Sequence, residues 1–176
     1  MKNIKAVFII ALLFLGLPSY SQSNYKMERD YSFVIRGGSN IRDWSESVDD
    51  ADGIASVNMA DEGRLDINEV RILIRANEIK SIGVEGTAMN KKTYETLKTS
   101  QYPTITFIVT TPVRSLTADG KKHLMETDGV LTIVGVRKII KLHPVISAGP
   151  DGKIAVEGDV FLKMSDFGLE PPVTLF

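Results

Sequence analysis

The chain has 176 residues, with 21 basic and 22 acidic side chains and no cysteine. A formal net charge of −1 lacks the basic balance typical of nucleic-acid-binding proteins. The absence of cysteine excludes disulfides, thiolate chemistry and cysteine-based metal sites.

Residues 1–21 have the layout of a secretory signal peptide. Lys2 and Lys5 precede an apolar run at 6–17, Pro18 ends the run, and Ser21 marks the expected cleavage site. A membrane anchor is the alternative, but this run is shorter than the roughly 20 residues that cross a hydrocarbon core. We therefore expect a periplasmic or secreted protein without a stable membrane anchor. Residues 22–176 are expected to form one domain.

Most of the remaining chain alternates apolar and polar residues with the period of half-buried strands. The first clear runs are 31–36 and 69–76, followed by 104–110. The segment 130–147 is strand-like and rich in β-branched residues, and 154–164 has the most regular alternation. These runs predict an all-β protein.

Two further signals refine this prediction. Segment 87–101 has apolar residues at helical spacing, which predicts one short surface helix that ends before Pro103. Three Asp-Gly pairs are candidate hairpin turns: Asp52–Gly53, Asp119–Gly120 and Asp151–Gly152. Short strands with turn signals at this spacing favour an antiparallel sandwich or barrel over alternating βαβ units.

The tripeptide Asp166-Phe167-Gly168 is the one that binds magnesium in protein kinases, but the other kinase motifs are missing. The acidic run 49–53 fails as a calcium loop, because Met59 stands where the last ligand, a glutamate, belongs. His123 and His143 are too few for a zinc site. We therefore expect no catalytic residues, no metal site and no cofactor.

Three segments, in this order, resemble the YceI family of polyisoprenoid-binding, lipocalin-like bacterial envelope proteins. They are YPTITF (102–107), GVLTIVGVRK (129–138) and SDFGL (165–169), and segment 31–44 resembles the opening strands of one branch of the family. The resemblance implies an antiparallel β-barrel with one short helix around an elongated apolar cavity. It also implies a structural task for Asp166, as a cap on the turn that begins at Gly168.

The sequence departs from the family pattern in three places. Tyr31-Ser32 and Met89-Asn90 stand where many members carry His-Ser and Arg-Asp, so the headgroup contacts of those residues do not carry over. The family also continues beyond the position of Phe176 into a closing strand. We therefore expect either that the last strand is missing from this sequence or that the barrel closes differently.

Strand parity assigns one apolar face of each run to the expected barrel interior. These faces carry almost no ionisable side chains. The candidate cavity-lining residues are Phe33, Ile35, Ile72, Ile74, Ile105, Phe107, Leu131, Ile133, Val156, Val160, Leu162 and Met164.

The resemblance implies non-catalytic binding, storage or transport of a long apolar molecule, such as a polyisoprenoid or a fatty-acid-like chain. A structural or partner-binding envelope protein with a packed interior is the alternative, and a small hydrolase or isomerase is a weaker one. No nucleic-acid partner is expected, and a homodimer is left open.

The signal-peptide interpretation predicts that protein from its native envelope fraction begins close to Gln22. N-terminal sequencing checks this expectation. Recovery of a membrane-bound protein that still begins at Met1 would contradict it.

Overall fold

The computed structural model describes residues 22–38, 43–59, 63–83 and 86–170, which form antiparallel strands and one α-helix. The expected signal peptide, 1–21, lies outside the described residues. The helix α1 spans Gly86–Thr96, and 3₁₀ turns lie at Ala76–Glu78 and Met164–Phe167. The strands are β1 (Gln22–Lys26), β2 (Val34–Gly38), β3 (Asp43–Val48), β4 (Ala51–Met59), β5 (Arg64–Arg75), β6 (Ile79–Ser81), β7 (Thr104–Val109), β8 (Val113–Thr117), β9 (His123–Leu124), β10 (Thr127–Ile133), β11 (Val136–Leu142), β12 (Val145–Ala148) and β13 (Ile154–Glu157).

The strands form three sheets. The largest has seven strands in the order β1-β4-β5-β7-β10-β11, with β8 also paired to β5. The other two have the orders β13-β12-β9 and β2-β3-β6. Strand β5 has twelve residues, so its second half pairs with β7 while its first half pairs with β8.

Two prolines coincide with the divisions between pairings. Pro112 separates β7 from β8, and Pro144 separates β11 from β12. Proline has no N–H to donate, so it interrupts a strand ladder. Beyond Pro144 the chain pairs with β9 and β13 instead of β10. Among the described residues the sheets stay open, because β1 and β11 end the largest sheet without pairing to each other. A closed barrel therefore remains a prediction.

Apolar side chains gather in two clusters. The first cluster lies among β3, β4, β6, β7, β10 and the segment after β13, and its buried members are Val48, Ala51, Ile79, Ile105, Leu131, Phe167 and Leu169. The second cluster lies among β4, β5, β8 and β12, and its buried members are Val57, Leu65, Ile67, Val113, Leu116, Ile146 and Ala148.

The predicted strand 154–164 is wrong beyond Glu157. Glu157 pairs with Val145, so the next residue, Gly158, would have to pair with Pro144. A Cβ atom placed on Gly158 would lie 3.5 Å from the Cα atom of Pro144, which shows that the two backbones still run side by side there. The ladder ends because Pro144 has no N–H.

The Asp-Gly pairs behave differently from one another. Asp151–Gly152 lies between the paired strands β12 and β13, so that hairpin is confirmed. Asp119–Gly120 lies between β8 and β9, but β8 pairs with β5 and β9 with β12, so the chain turns there without forming a hairpin. Asp52–Gly53 lies inside β4 and pairs with β5, so that turn prediction is wrong. Gly53 accepts a 2.8 Å hydrogen bond from the N–H of Met27, and the Met27 side chain covers it. Glycine at position 53 therefore allows Met27 to approach β4 closely, and it does not form a turn.

The Asp-Phe-Gly segment forms a turn that is closed by backbone hydrogen bonds. Gly168 has φ 67° and its N–H donates to the carbonyl of Ser165, while the N–H of Leu169 donates to the carbonyl of Met164. Phe167 and Leu169 are buried in the first cluster. Asp166 is exposed and makes no side-chain hydrogen bond within the described residues, so the expected cap by Asp166 is wrong.

We expect Phe167→Ala to lower the free energy of unfolding by about 3–5 kcal/mol, because it removes a buried ring and leaves a cavity. The matched change Asp166→Asn should stay within about 0.5 kcal/mol of the parent. Urea denaturation measures both. A larger effect of the Asp166 variant would show that its carboxylate does structural work.

Candidate functional site

The first cluster is the candidate site, because it is the less completely buried of the two. Each cluster has seven buried members, but twelve partly buried apolar residues pack against the first and six against the second. More apolar surface therefore remains accessible at the first cluster. Its partly buried residues are Met27, Tyr31, Phe33, Ile35, Ile74, Leu97, Phe107, Ile133, Val134, Val136, Ile140 and Met164.

Eight of the twelve predicted lining residues meet in the first cluster. Strand register explains this, since Ile74 lies opposite Ile105, and Phe107 lies opposite Leu131. Ile72 is half-buried and opposite Phe107, but lies outside the cluster. The eight are Phe33, Ile35, Ile74, Ile105, Phe107, Leu131, Ile133 and Met164. Their contact with a ligand stays a prediction.

Three predicted lining residues are exposed instead. The exposed fraction is 62% for Val156, 41% for Val160 and 44% for Leu162. Val160 and Leu162 follow the end of β13, so strand parity no longer directs them inward, and Val156 lies near that end. The structure does not place these three in the interior.

The Phe107 ring is positioned by a glycine on the next strand. It lies across Gly129 of β10 so closely that a Cβ atom there would collide with the ring. A strand glycine often marks such a close approach. Gly129 is therefore a positioning residue of the site. A glycine within a strand-like run was the sequence signal that could have identified it.

Glu46 is an ionisable residue of the site that the sequence prediction missed. It lies on β3 opposite Ile35 and Ser81, it is 3% exposed, and its carboxylate accepts a hydrogen bond from the Thr93 hydroxyl of α1. Burial raises the pKa of Glu46, and the Thr93 hydrogen bond lowers it in part. The sequence signal for Glu46 was strand parity. Glu46 stands two residues from both Trp44 and Val48, so its side chain shares their face of β3.

The residues that depart from the family pattern make structural hydrogen bonds. The Tyr31 hydroxyl accepts a 2.7 Å bond from the N–H of Ala51, and the Asn90 side-chain oxygen accepts a 2.7 Å bond from the N–H of Ser81. Helix α1 has no buried residue of its own. Its contacts through Asn90 and Thr93 therefore attach it to β6 and β3.

One open surface groove reaches the site, and another follows α1. A groove of about 300 Å³ is lined partly by Tyr31, Phe33 and Val48, which belong to the first cluster, and also by Arg29 and Asp49. A second groove, of about 620 Å³, follows α1 and the loop after it and has polar and charged lining residues. The first groove gives solvent access to the apolar cluster.

No group of three or more His, Asp or Glu residues in the described part of the chain could hold a metal ion. His123 Nε2 lies 2.8 Å from Asp119 Oδ1, and His143 Nε2 lies 3.9 Å from Glu126 Oε2, so the two histidines have separate partners. Among the described helices, none is long and apolar enough to cross a membrane.

The fold is that of an antiparallel β-sheet protein, and the site is an apolar cluster with partly buried residues packed against it. A family model, the YceI-like domain, matches residues 25–175, and the chain belongs to this family. Among curated proteins, none matches the chain significantly.

Solved structures are similar to this chain. A polyisoprenoid binding domain from Saccharophagus degradans, implicated in plant cell wall breakdown, is 16% identical, and the match covers 84% of this chain and 77% of that domain with a TM-score of 0.56. A mutant CJ YCEI protein with a monobromobimane guest is 18% identical, with 96% and 85% covered and a TM-score of 0.47. The first of these likenesses supports the antiparallel architecture.

Glu46→Gln should change the pH dependence of stability. The pKa of Glu46 is raised above 4.5 in the folded protein, so folding favours the protonated carboxyl. Its contribution to the free energy of unfolding is therefore fully present below pH 4.5 and is lost as the pH rises through the folded pKa. The glutamine variant has no such loss, so its stability relative to the parent should increase with pH over that range. Urea denaturation from pH 4 to pH 8 checks this, and a constant difference would contradict it.

Proposed function

We propose that this protein binds a long apolar molecule, a polyisoprenoid or fatty-acid-like chain, at the first cluster and without catalysis. The observation that carries the proposal is that two half-buried aromatic residues of the first cluster, Tyr31 and Phe33, line a groove open to solvent whose wall also includes the buried Val48. Membership of the YceI-like family and the fold shared with a polyisoprenoid binding domain support it.

Binding of this kind needs no reactive group. Each 200 Å² of apolar ligand surface removed from water contributes about 5 kcal/mol, at roughly 25 cal/mol per Å². The first cluster consists of apolar residues, and Glu46, which lies opposite Ile35, is the one buried ionisable residue in the described part of the chain. A hydrocarbon chain is the ligand that such surroundings favour, since an unpaired charge there would be costly.

The proposal extends to storage or transport of the ligand in the periplasm. The signal-like residues 1–21 support an extracytoplasmic location. In the proposed ligand-bound protein, the sheets surround the hydrocarbon chain as a barrel would, so that the half-buried residues of the first cluster become fully buried.

A partner-binding role is the second candidate, because apolar side chains are also exposed outside the first cluster. Phe161 is 97% exposed and Ile139 is 76% exposed. Under this alternative the first cluster would be a packed core, and the exposed residues would contact another protein.

A pair of tryptophan substitutions on one hairpin separates these functions. Ile133 packs against the first cluster from β10, whereas Ile139 is exposed on β11. We expect Ile133→Trp to abolish binding of geranylgeraniol and palmitate while the protein stays folded, because the ring occupies ligand space. Ile139→Trp should bind like the parent.

Mass spectrometry of copurified lipid, titration with both compounds and thermal melts provide the measurements. A packed core would respond differently, with a loss of about 1–3 kcal/mol on overpacking. If the parent neither carries lipid nor binds either compound, the proposed function is wrong.

A further inference from the structure

The turn between β10 and β11 contains an unfavourable residue. Ile133 pairs with Val136, so Val134 and Gly135 alone form the loop, with φ values of 44° and 77°. A two-residue hairpin loop with positive φ at both positions favours Asn-Gly or Asp-Gly. A β-branched residue with positive φ is an outlier, because its Cβ substituents crowd the backbone. The geometry of the turn therefore does not explain why a valine occupies position 134.

The side chain of Val134 is half-buried and packs against the first cluster. Leu97, directly after α1, packs against the same cluster. Tyr102 connects the two, since its N–H donates to the carbonyl of Lys98 at 2.9 Å and its ring lies 3.0 Å from where a Cβ atom on Gly135 would be. We call Leu97, Tyr102 and Val134 the helix-end rim.

The helix-end rim is uncharged, is apolar except for the Tyr102 hydroxyl, and is only partly covered. Tyr102 is 38% exposed, and none of the three side chains makes an ion pair or a side-chain hydrogen bond within the described ranges. At this boundary a hydrocarbon chain in the first cluster would meet the aliphatic side chains of Leu97 and Val134, beside the phenol ring of Tyr102. Asparagine at position 134 would suit the turn, but it would put an amide against that chain at a desolvation cost.

We propose that Val134 is a ligand-contact residue, which the strained turn holds against the hydrocarbon part of the bound molecule. The inference rests on the proposed function. It adds that Val134 contacts the hydrocarbon chain of the ligand and not a polar headgroup. Strain that persists in a structure is often linked to a functional site, because relief of the strain would remove the functional contact.

The test is Val134→Asn, with Ile139→Asn as its matched control. Both changes replace an aliphatic side chain of the same hairpin by asparagine, but Ile139 is 76% exposed and lies outside the first cluster. We expect Val134→Asn to melt at the parent temperature or above, because asparagine fits the turn. Its Kd for geranylgeraniol should rise roughly tenfold, as for loss of one apolar contact. The control should bind within about twofold of the parent, the scale of a neutral surface change.

Val134→Gly completes the design, because it removes both the strain and the side chain. Weaker binding in both Val134 variants, at a melting temperature no lower than that of the parent in at least one of them, supports the inference. Parent-like affinity in either variant overturns it, and so does weaker binding that accompanies a lower melting temperature in both. If the parent binds neither geranylgeraniol nor palmitate, the proposed function itself has failed and the inference falls with it.

Discussion

The structure depends on burial of the apolar inner face of the seven-stranded sheet against the sheet β2-β3-β6. The chain has no cysteine, so no disulfide holds these sheets together, and hydrophobic burial has to do so. Ile105 and Leu131 from one sheet meet Val48 and Ile79 from another in the first cluster. Phe167 completes the contact from the chain after β13, which gives the Asp-Phe-Gly segment a packing role.

The same packing leaves the first cluster incompletely covered. Helix α1 lies beside it but contributes no buried residue, and polar contacts with β3 and β6 attach it to the fold. Glu46 stabilises one of these contacts at the cost of burying a carboxyl group, whose pKa rises as a result. The proposed binding and the incomplete burial are thus two aspects of one arrangement, because a completely packed cluster has no apolar surface left for a ligand.

Much of the fold could be predicted from local pattern. The alternation in 104–110 predicted β7, and the helical spacing in 87–101 predicted α1 to within one residue at its start. The helix ends at Thr96, five residues before the end of the predicted segment. Eight of twelve proposed lining residues meet in one cluster, and six of the eight lie on strands, where parity decides which side chains share a face. The failures do not share one cause. Val160 and Leu162 lie beyond Glu157, where the pairing of β13 ends, so parity no longer applies to them. Val156 is paired with Ile146 and is still exposed, and Ile72 is paired with Phe107 and still lies outside the cluster.

The sequence by itself determined the class of fold, the period of the strands and the apolar character of their inner faces, because these properties depend on neighbours along the chain. Only the tertiary structure decided where β13 ends, that Glu46 is buried beneath Thr93, and that Phe107 lies across Gly129. Each of these depends on which strand or helix lies alongside. Such neighbours come from distant parts of the sequence, and no local pattern identifies them.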